Sequence, residues 1–349
     1  MSLFDRSEKE PRPKALTGTS DESRPTGARA YLRTMMALWL SYPIVGPLLA
    51  LLVIIIVFST TTATFLNAGN LSLILQQSVV VGTLALGQTL IVLVSGIDLA
   101  NAAIMVLGTV VTGSLATTVD PWIALICGML VCIVAAAING VVVTTFRLPP
   151  FIATLGMFTI LTAVARLYAH SRSFPVTSDL LALMGSGPAW MPASLTYGSL
   201  LWIALTLVLM YVLNKTAWGV HVYAIGNSPS AARLNGISVR KIVFSVYALA
   251  GIFYAFAGWQ ALGRTPIADP SGYPLANLES ITAVVIGGTS LFGGRGSVMG
   301  TFIGALIVTV LKNGLTQAGI DSLYQQVATG FLVIFTVGID QYLHRGQRT

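Results

Sequence analysis

Chemistry in a protein calls for a nucleophile beside a base, a cluster of metal ligands, or a glycine loop that cradles phosphate, and this sequence spaces none of them together. Its three histidines, His170, His221 and His344, stand at or beyond the ends of long apolar runs, where water reaches them. Cys127 and Cys132 share one apolar run and, five residues apart on a helix, point to different sides, so they read as packing and not as a disulfide or metal site. No Gly-Lys pair occurs in the chain, which excludes the Gly-x-x-x-x-Gly-Lys-Ser/Thr phosphate loop and with it ATP hydrolysis by this chain alone. No catalytic residue, metal site or bound cofactor is expected. Inside the apolar runs ionisable groups are scarce: Asp98 at a helix end, Lys312 late in its run, Asp340 near the end of the last. Ion relays need carboxylates at mid-depth, so this scarcity argues against ion-coupled movement. The runs instead carry uncharged amides, Gln76, Gln77, Gln88, Asn139 and Asn313. Amides both donate and accept hydrogen bonds, which suits brief contact with a polyhydroxylated neutral solute, and equally suits bonding between helices.

The elements that hold these groups are membrane helices. Of 349 residues 55% are hydrophobic and only 9% charged, against roughly 25% charged in a soluble domain. The net charge of +7 sits in the N-terminal tail and in short loops, a pattern of topology signals and not a nucleic-acid face. Residues 1–37 are expected to form a disordered cytoplasmic tail, residues 38–343 the membrane domain, and residues 344–349 a second short tail. The first apolar run is too long for a signal peptide and reads as an uncleaved helix. Ten spans are expected: Ile44–Thr62, Leu71–Ser95, Ala102–Val119, Trp122–Phe146, Phe151–Leu167, Tyr197–Leu213, Ile242–Leu262, Leu278–Leu291, Ser297–Leu315 and Tyr324–Tyr342. With the N-terminus inside, Arg147, Lys215, Arg233, Arg240, Lys241, Arg295, Arg345 and Arg348 collect on the cytoplasmic side. Arg166, Arg172, Arg264, Asp120, Asp179, Asp269, Glu279 and Asp321 fall outside, as the positive-inside rule asks. Trp190 in the outer loop is expected at the membrane interface. A faint echo also links Gly96, Leu99, Gly108 and Thr109 to Gly288, Leu291, Gly300 and Thr301 at constant offset, as in transporters built from repeats.

Two local patterns are sharper. In the inside loop, 214–241, Ser228 suits an N-cap, Pro229 the first helical position and Gly236 the left-handed position after the helix, predicting about two turns of helix. So short a helix needs a packing partner. Ala231, Ala232 and Leu234 would seat it in another protein's groove, or it rests against its own bundle at the membrane interface. The second pattern is a hairpin of two apolar runs from Ile281 to Ala305, joined by a tight Gly293-Gly294-Arg295-Gly296 turn. Gly296, Gly300 and Gly304 recur every four residues and line one side of the second helix, either as plain close packing or as a face that slides during gating. The eighth run is short, as for a hairpin or a helix broken at Gly287-Gly288.

Taken together, several stretches resemble the permeases of bacterial ATP-binding-cassette importers for monosaccharides. They are I-L-Q-Q at Ile74–Gln77, S-G-I-D-L at Ser95–Leu99, L-P-P-F-I-A-T-L-G at Leu148–Gly156, T-A-W-G at Thr216–Gly219, A-A-R-L-N-G-I from Ala231, and the hairpin. The resemblance implies an all-α integral membrane subunit of about ten helices, working as a homodimer in the bacterial inner membrane with both termini cytoplasmic. It implies two partner chains: an ABC ATPase, which would hold the ATP and Mg, and a periplasmic sugar-binding protein received near Trp190 and Tyr273. It makes Ser228–Gly236, with Arg233 in it, the helix that couples to the ATPase, and makes Asp98 and the hairpin glycines gate candidates. Tyr211–Asn214, Asn277–Ser280 and Ile339–Gln341 look most like the fructose-type branch. The sequence departs from the family after S-G-I-D-L, where Ala100-Asn101-Ala102 stand in place of Ser-Val-Gly, which alters how closely that helix start can approach its neighbour. A self-sufficient carrier or channel for a small polar solute, or the same machine with a non-sugar cargo, is the rival expectation.

Overall fold

The computed structural model describes residues 44–188 and 195–345. The expected N-terminal tail, Trp190 and the last four residues lie outside them. The main helices are α1 (Val45–Thr61), α2 (Ala68–Leu93), α3 (Asn101–Leu115), α4 (Pro121–Thr145) and α5 (Pro150–Tyr168). After a four-residue α6 (Asp179–Ala182) come α7 (Tyr197–Lys215), α8 (Ala217–Asn227), α9 (Pro229–Leu234) and α10 (Val239–Arg264). The chain closes with α11 (Ala276–Ile286), α12 (Val298–Gln317) and α13 (Ser322–Arg345).

Each predicted apolar run falls on a helix, but helix length does not carry the count of ten. Among the described residues six helices, α2, α4, α5, α7, α10 and α12, are long and apolar enough to cross a bilayer. α1, α3 and α11 have 17, 15 and 11 residues. The inside loop also holds more than the one short helix read from its sequence, because Thr216 caps α8 by accepting from Gly219 N–H (3.2 Å).

α2 is the axis of the fold. Every residue from Ser78 to Leu93 is buried, as expected of a helix apolar on all sides. Gly82 and Gly87 let the Trp202 and Tyr254 rings lie against its backbone, and Trp202 stacks on Phe302 at 4.2 Å between centroids. α10, α11 and α12 pack around it. α4 shows the inverse pattern of a lipid-facing helix. Trp122, Ile126, Leu130, Val134 and Ile138, four residues apart, are exposed on one stripe, while Ala124, Gly128, Cys132, Ala135 and Asn139 face inward.

Beyond the helix ends, Phe174–Pro175 pairs antiparallel with Ile267–Ala268 and ties two outer loops together against Gly113 of α3. The two stretches linked by the constant-offset echo differ in the packing of the helices around them. α11 and α12 pack along their hairpin, whereas α2 and α3 scarcely touch.

Candidate functional site

Two helices begin inside the fold instead of at its surface. α11 is about 16 Å long, roughly half the hydrocarbon thickness of a bilayer, and α3 about 22 Å. The irregular segments ahead of them meet. Asn277 Nδ2 donates to the Leu99 carbonyl (3.3 Å), Asn101 Nδ2 donates to Ser280 Oγ (2.7 Å), and Ser280 Oγ donates to the Asn277 carbonyl (2.8 Å). Open backbone at this depth must be satisfied by protein, and it is. Thr154 Oγ1 donates to Ile97 C=O (3.0 Å) and accepts from Leu99 N–H (3.1 Å). The Gln88 amide, in the orientation that satisfies both its partners, donates to Asp98 C=O (3.0 Å) and accepts from Asp98 N–H (3.2 Å).

Asp98 is therefore not a surface helix end. It is wholly buried at the crossing. Its Oδ1 accepts from Ala100 N–H (2.8 Å) in an Asx turn leading into α3, and its Oδ2 accepts from Tyr254 OH (3.0 Å) in the interior of α10. A fully buried carboxylate thus stands where the sequence reading saw only a helix end, with both oxygens engaged in holding the break. Glu279 also moves. It lies in the first turn of α11, buried, and forms an ion pair with Lys312 of α12 (2.6 Å) instead of standing free at the outer end of its span.

Beside the crossing lies a cavity of about 130 Å³, lined by Ala102, Ala103, Phe158, Thr162, Arg166 and Tyr273 among others. Tyr273 adopts φ +54°, a strained conformation for an aromatic residue, and its hydroxyl is enclosed without a hydrogen-bond partner among the described residues. Tyr273 is thus a lining residue of this cavity and only partly exposed.

At the C-terminal end of α2, just ahead of the crossing in sequence, three chain segments meet backbone to backbone. Gly294 N–H donates to the Leu93 carbonyl (2.9 Å), and Ser95 Oγ donates to the Phe292 carbonyl (2.7 Å) and sits 3.2 Å from that of Gly226. Tyr223 OH of α8 donates to the Gly296 carbonyl (3.1 Å). A Cβ at Gly226 would overlap the Leu93 carbonyl and the Gly294 backbone, while Gly293 and Gly294 hold φ of +84° and +71°. Glycine is required here by space and by turn geometry at once.

α9 follows directly from this junction. Ser228 Oγ accepts from Ala231 N–H (3.3 Å), Pro229 occupies the first helical position, and Gly236 takes φ +79°. Ile237 N–H reaches the Ala232 carbonyl and Gly236 N–H that of Arg233, both at 3.0 Å, closing the helix with a Schellman motif. The faces differ from the sequence reading in one respect. Ala232 is 3% exposed and packs on its own bundle, so it cannot seat in a partner. Leu234 is 90% exposed and, with Ser230, Ala231 and Arg233, forms the outward face.

Residues 70–337 match the family described as the branched-chain amino acid transport system permease component. The chain belongs to this permease family. It is 41% identical to the fructose import permease protein FrcC of Rhizobium meliloti over 87% of each chain. It is 36% identical to the ribose import permease protein RbsC of Bacillus subtilis, over 85% of this chain and 92% of that one. The galactose/methyl galactoside import permease protein MglC of Escherichia coli is 32% identical over 84% of this chain and 93% of its own. No solved structure matches.

Within the permease the amides read as candidate path residues do not converge. Gln76 donates to Ser72 Oγ (3.1 Å) and lines a small cavity of about 50 Å³ with Gln260 and Arg264. Gln77 is half-buried elsewhere on α2, Gln88 holds the Asp98 backbone, and Asn313 is buried on α12. Asn139 is fully buried on α4 with neither side-chain atom partnered among the described residues. The structure brings together another set: Asn101, Asn277 and Ser280 at the crossing, with Phe158, Thr162, Arg166 and Tyr273 at the cavity. The signal for the first was in the sequence as the departure from Ser-Val-Gly, since the substituted Asn101 supplies the amide that bonds Ser280. Cys132 packs in the core and donates to the Ile104 carbonyl (3.4 Å).

Proposed function

We propose that this permease is the membrane-spanning subunit of an ATP-driven importer of a monosaccharide, fructose- or ribose-like, in the bacterial inner membrane. It performs no bond chemistry. The observation that carries this reading is likeness along nearly the whole length of both chains to fructose and ribose import permeases. In this reading the subunit dimerises, crosses the bilayer ten times with both termini in the cytoplasm, docks a separate ABC ATPase chain that holds ATP and Mg, and receives sugar from a periplasmic binding protein.

The geometry supplies a route for coupling. Closure of the ATPase moves α9 through Leu234 and Arg233. α9 is capped at both ends, so it moves as a unit and drags the Gly226–Asn227 backbone, whose Gly226 carbonyl accepts from Ser95 just past α2 and which lies against Gly294 of the α11–α12 turn. A two-state shift at that junction opens one end of the pathway and closes the other. The solute meets the cavity beside the half-length helices, where Tyr273 and Phe158 offer ring faces and Thr162 and Arg166 offer hydrogen bonds, the arrangement expected at broken helices of transporters.

Vesicles reconstituted with the permease, its ATPase and the binding protein test the reading. ATP-dependent uptake of labelled monosaccharide is expected, with a clear fall in rate for Tyr273→Phe. Gradient-driven uptake by the permease alone, indifferent to ATP, would establish the rival reading of a self-sufficient carrier. ATP-dependent uptake confined to an amino acid or nucleoside would keep the machine and change the cargo.

A further inference from the structure

The ends of three membrane-length helices, Thr145 of α4, Pro150 of α5 and Val239 of α10, surround a cavity of about 760 Å³ together with α9. Arg147, Arg233 and Arg240 line it, and no carboxylate does. None of the three arginines has a carboxylate partner among the described residues; Arg240 Nη2 donates only to Thr145 Oγ1 (2.9 Å). Arg147 is held at φ +54° at the corner ahead of Leu148-Pro149-Pro150. The residues flanking that corner are large, apolar and open: Phe146 is 68% exposed, Ile152 58% and Phe151 49%. They continue the lipid-facing stripe of α4. A site at the ends of spanning helices, with unneutralised guanidinium groups at one side and exposed aromatic and aliphatic side chains at the other, matches one ligand in both chemistry and layout. The charge calls for phosphate and the apolar flank for acyl chains. Leu234, the outward residue of α9, takes no part in the lining, so the cavity meets the face proposed for the ATPase only at Arg233.

We infer that this cavity binds the headgroup phosphate of an anionic phospholipid, with Arg147 and Arg240 as its principal contacts and the acyl chains lying along Phe146 and Ile152. The lipid would wedge between α9 and the α4–α5 corner, so membrane charge would set how freely α9 moves.

Native mass spectrometry of the purified permease, titrated with phosphatidylglycerol and phosphatidylcholine of identical acyl chains, tests this without any transport readout. The wild type is expected to retain phosphatidylglycerol in preference. Arg147→Gln with Arg240→Gln is expected to weaken that binding by about fivefold for each arginine removed and to leave phosphatidylcholine unaffected. Equal retention of the two lipids, or an unchanged preference in the double variant, overturns the assignment. So does full displacement of phosphatidylglycerol by millimolar inorganic phosphate, which would make this a free-anion site. Should the double variant lose its helical circular dichroism, Arg240→Gln alone decides, because its side chain bonds only to an exposed threonine hydroxyl.

Discussion

At Gly300 a single added methyl would run into the carbonyl of Gly287 across the hairpin, and at Gly304 into that of Ala283. The four-residue glycine spacing that could have served a sliding face is filled by α11 itself, which makes it a packing surface within one chain. Gly156 on α5 is the contrast, since a Cβ there meets nothing within 4 Å. Gly300→Ala is therefore expected to cost about 1–3 kcal/mol through overpacking, seen as a lower melting temperature and a smaller monodisperse yield. Gly156→Ala should be neutral or raise the melting temperature, because alanine gains up to about 1 kcal/mol over glycine inside a helix. A Gly300→Ala permease that assembles and melts normally but does not transport would restore the sliding role. The same scale shows what sequence could not reveal. Thr154 and Asn277 look like ordinary polar residues in apolar runs, and their work of satisfying Ile97 and Leu99 exists only because distant segments break at the same depth.

Among the elements, α9 was the most legible, since caps and terminator are local and act through the backbone of a few neighbouring residues. What locality cannot give is which face turns inward. Ala231 and Ala232 are alike in sequence, yet one is exposed and the other buried. The extent of α11 was legible only as one of two readings, a plain hairpin or a helix broken at Gly287-Gly288. Apolar character continues to Leu291, but Gly288 at φ +82° lets Thr289 N–H reach the Val284 carbonyl (3.1 Å), stopping the helix at Ile286. These faces fix the test of coupling. Leu234→Asp with Arg233→Glu changes only exposed side chains, so thermal stability should stay within about 0.5 kcal/mol of the wild type. Sugar-stimulated ATPase activity of the assembled complex should fall at least tenfold. Normal stimulation in that complex would remove α9 from the coupling role; a large loss of stability would mean that the helix face is buried by its own chain.

For the whole molecule the decisive element is the shortest one, because the orientation of everything after α10 turns on whether α11 carries the chain across. Its 11 residues reach only about half of the bilayer core. A crossing is still feasible if the irregular segment from Asp269 to Leu275, much of it open in one subunit, supplies the remaining depth against protein or a water-filled cavity, and Asn277, in the first turn of α11 and bonded to Leu99 just ahead of α3, places the start of α11 inside the fold. Charge agrees with this path, since Arg264 and Asp269 fall before it and Arg295 after it, on the side that collects most of the arginines. The prediction follows from placing single thiols on exposed positions to either side. In a chain with Cys127→Ser and Cys132→Ala, a membrane-impermeant maleimide applied to intact cells should label Thr265→Cys and spare Phe292→Cys, and inside-out vesicles should reverse the pattern. Labelling of both from one face would make α11 re-entrant. The hairpin turn would then leave the side of α9, although the bonds of Gly294 to Leu93 and of Ser95 to both Phe292 and Gly226 hold the three segments together. Such a fold would have to turn α8 and the end of α2 outward as well, against the positive charge of Lys215, Arg233, Arg240 and Lys241 in the same loop. The backbone junction thus ties the sidedness of the hairpin to that of α9, and one labelling result fixes both.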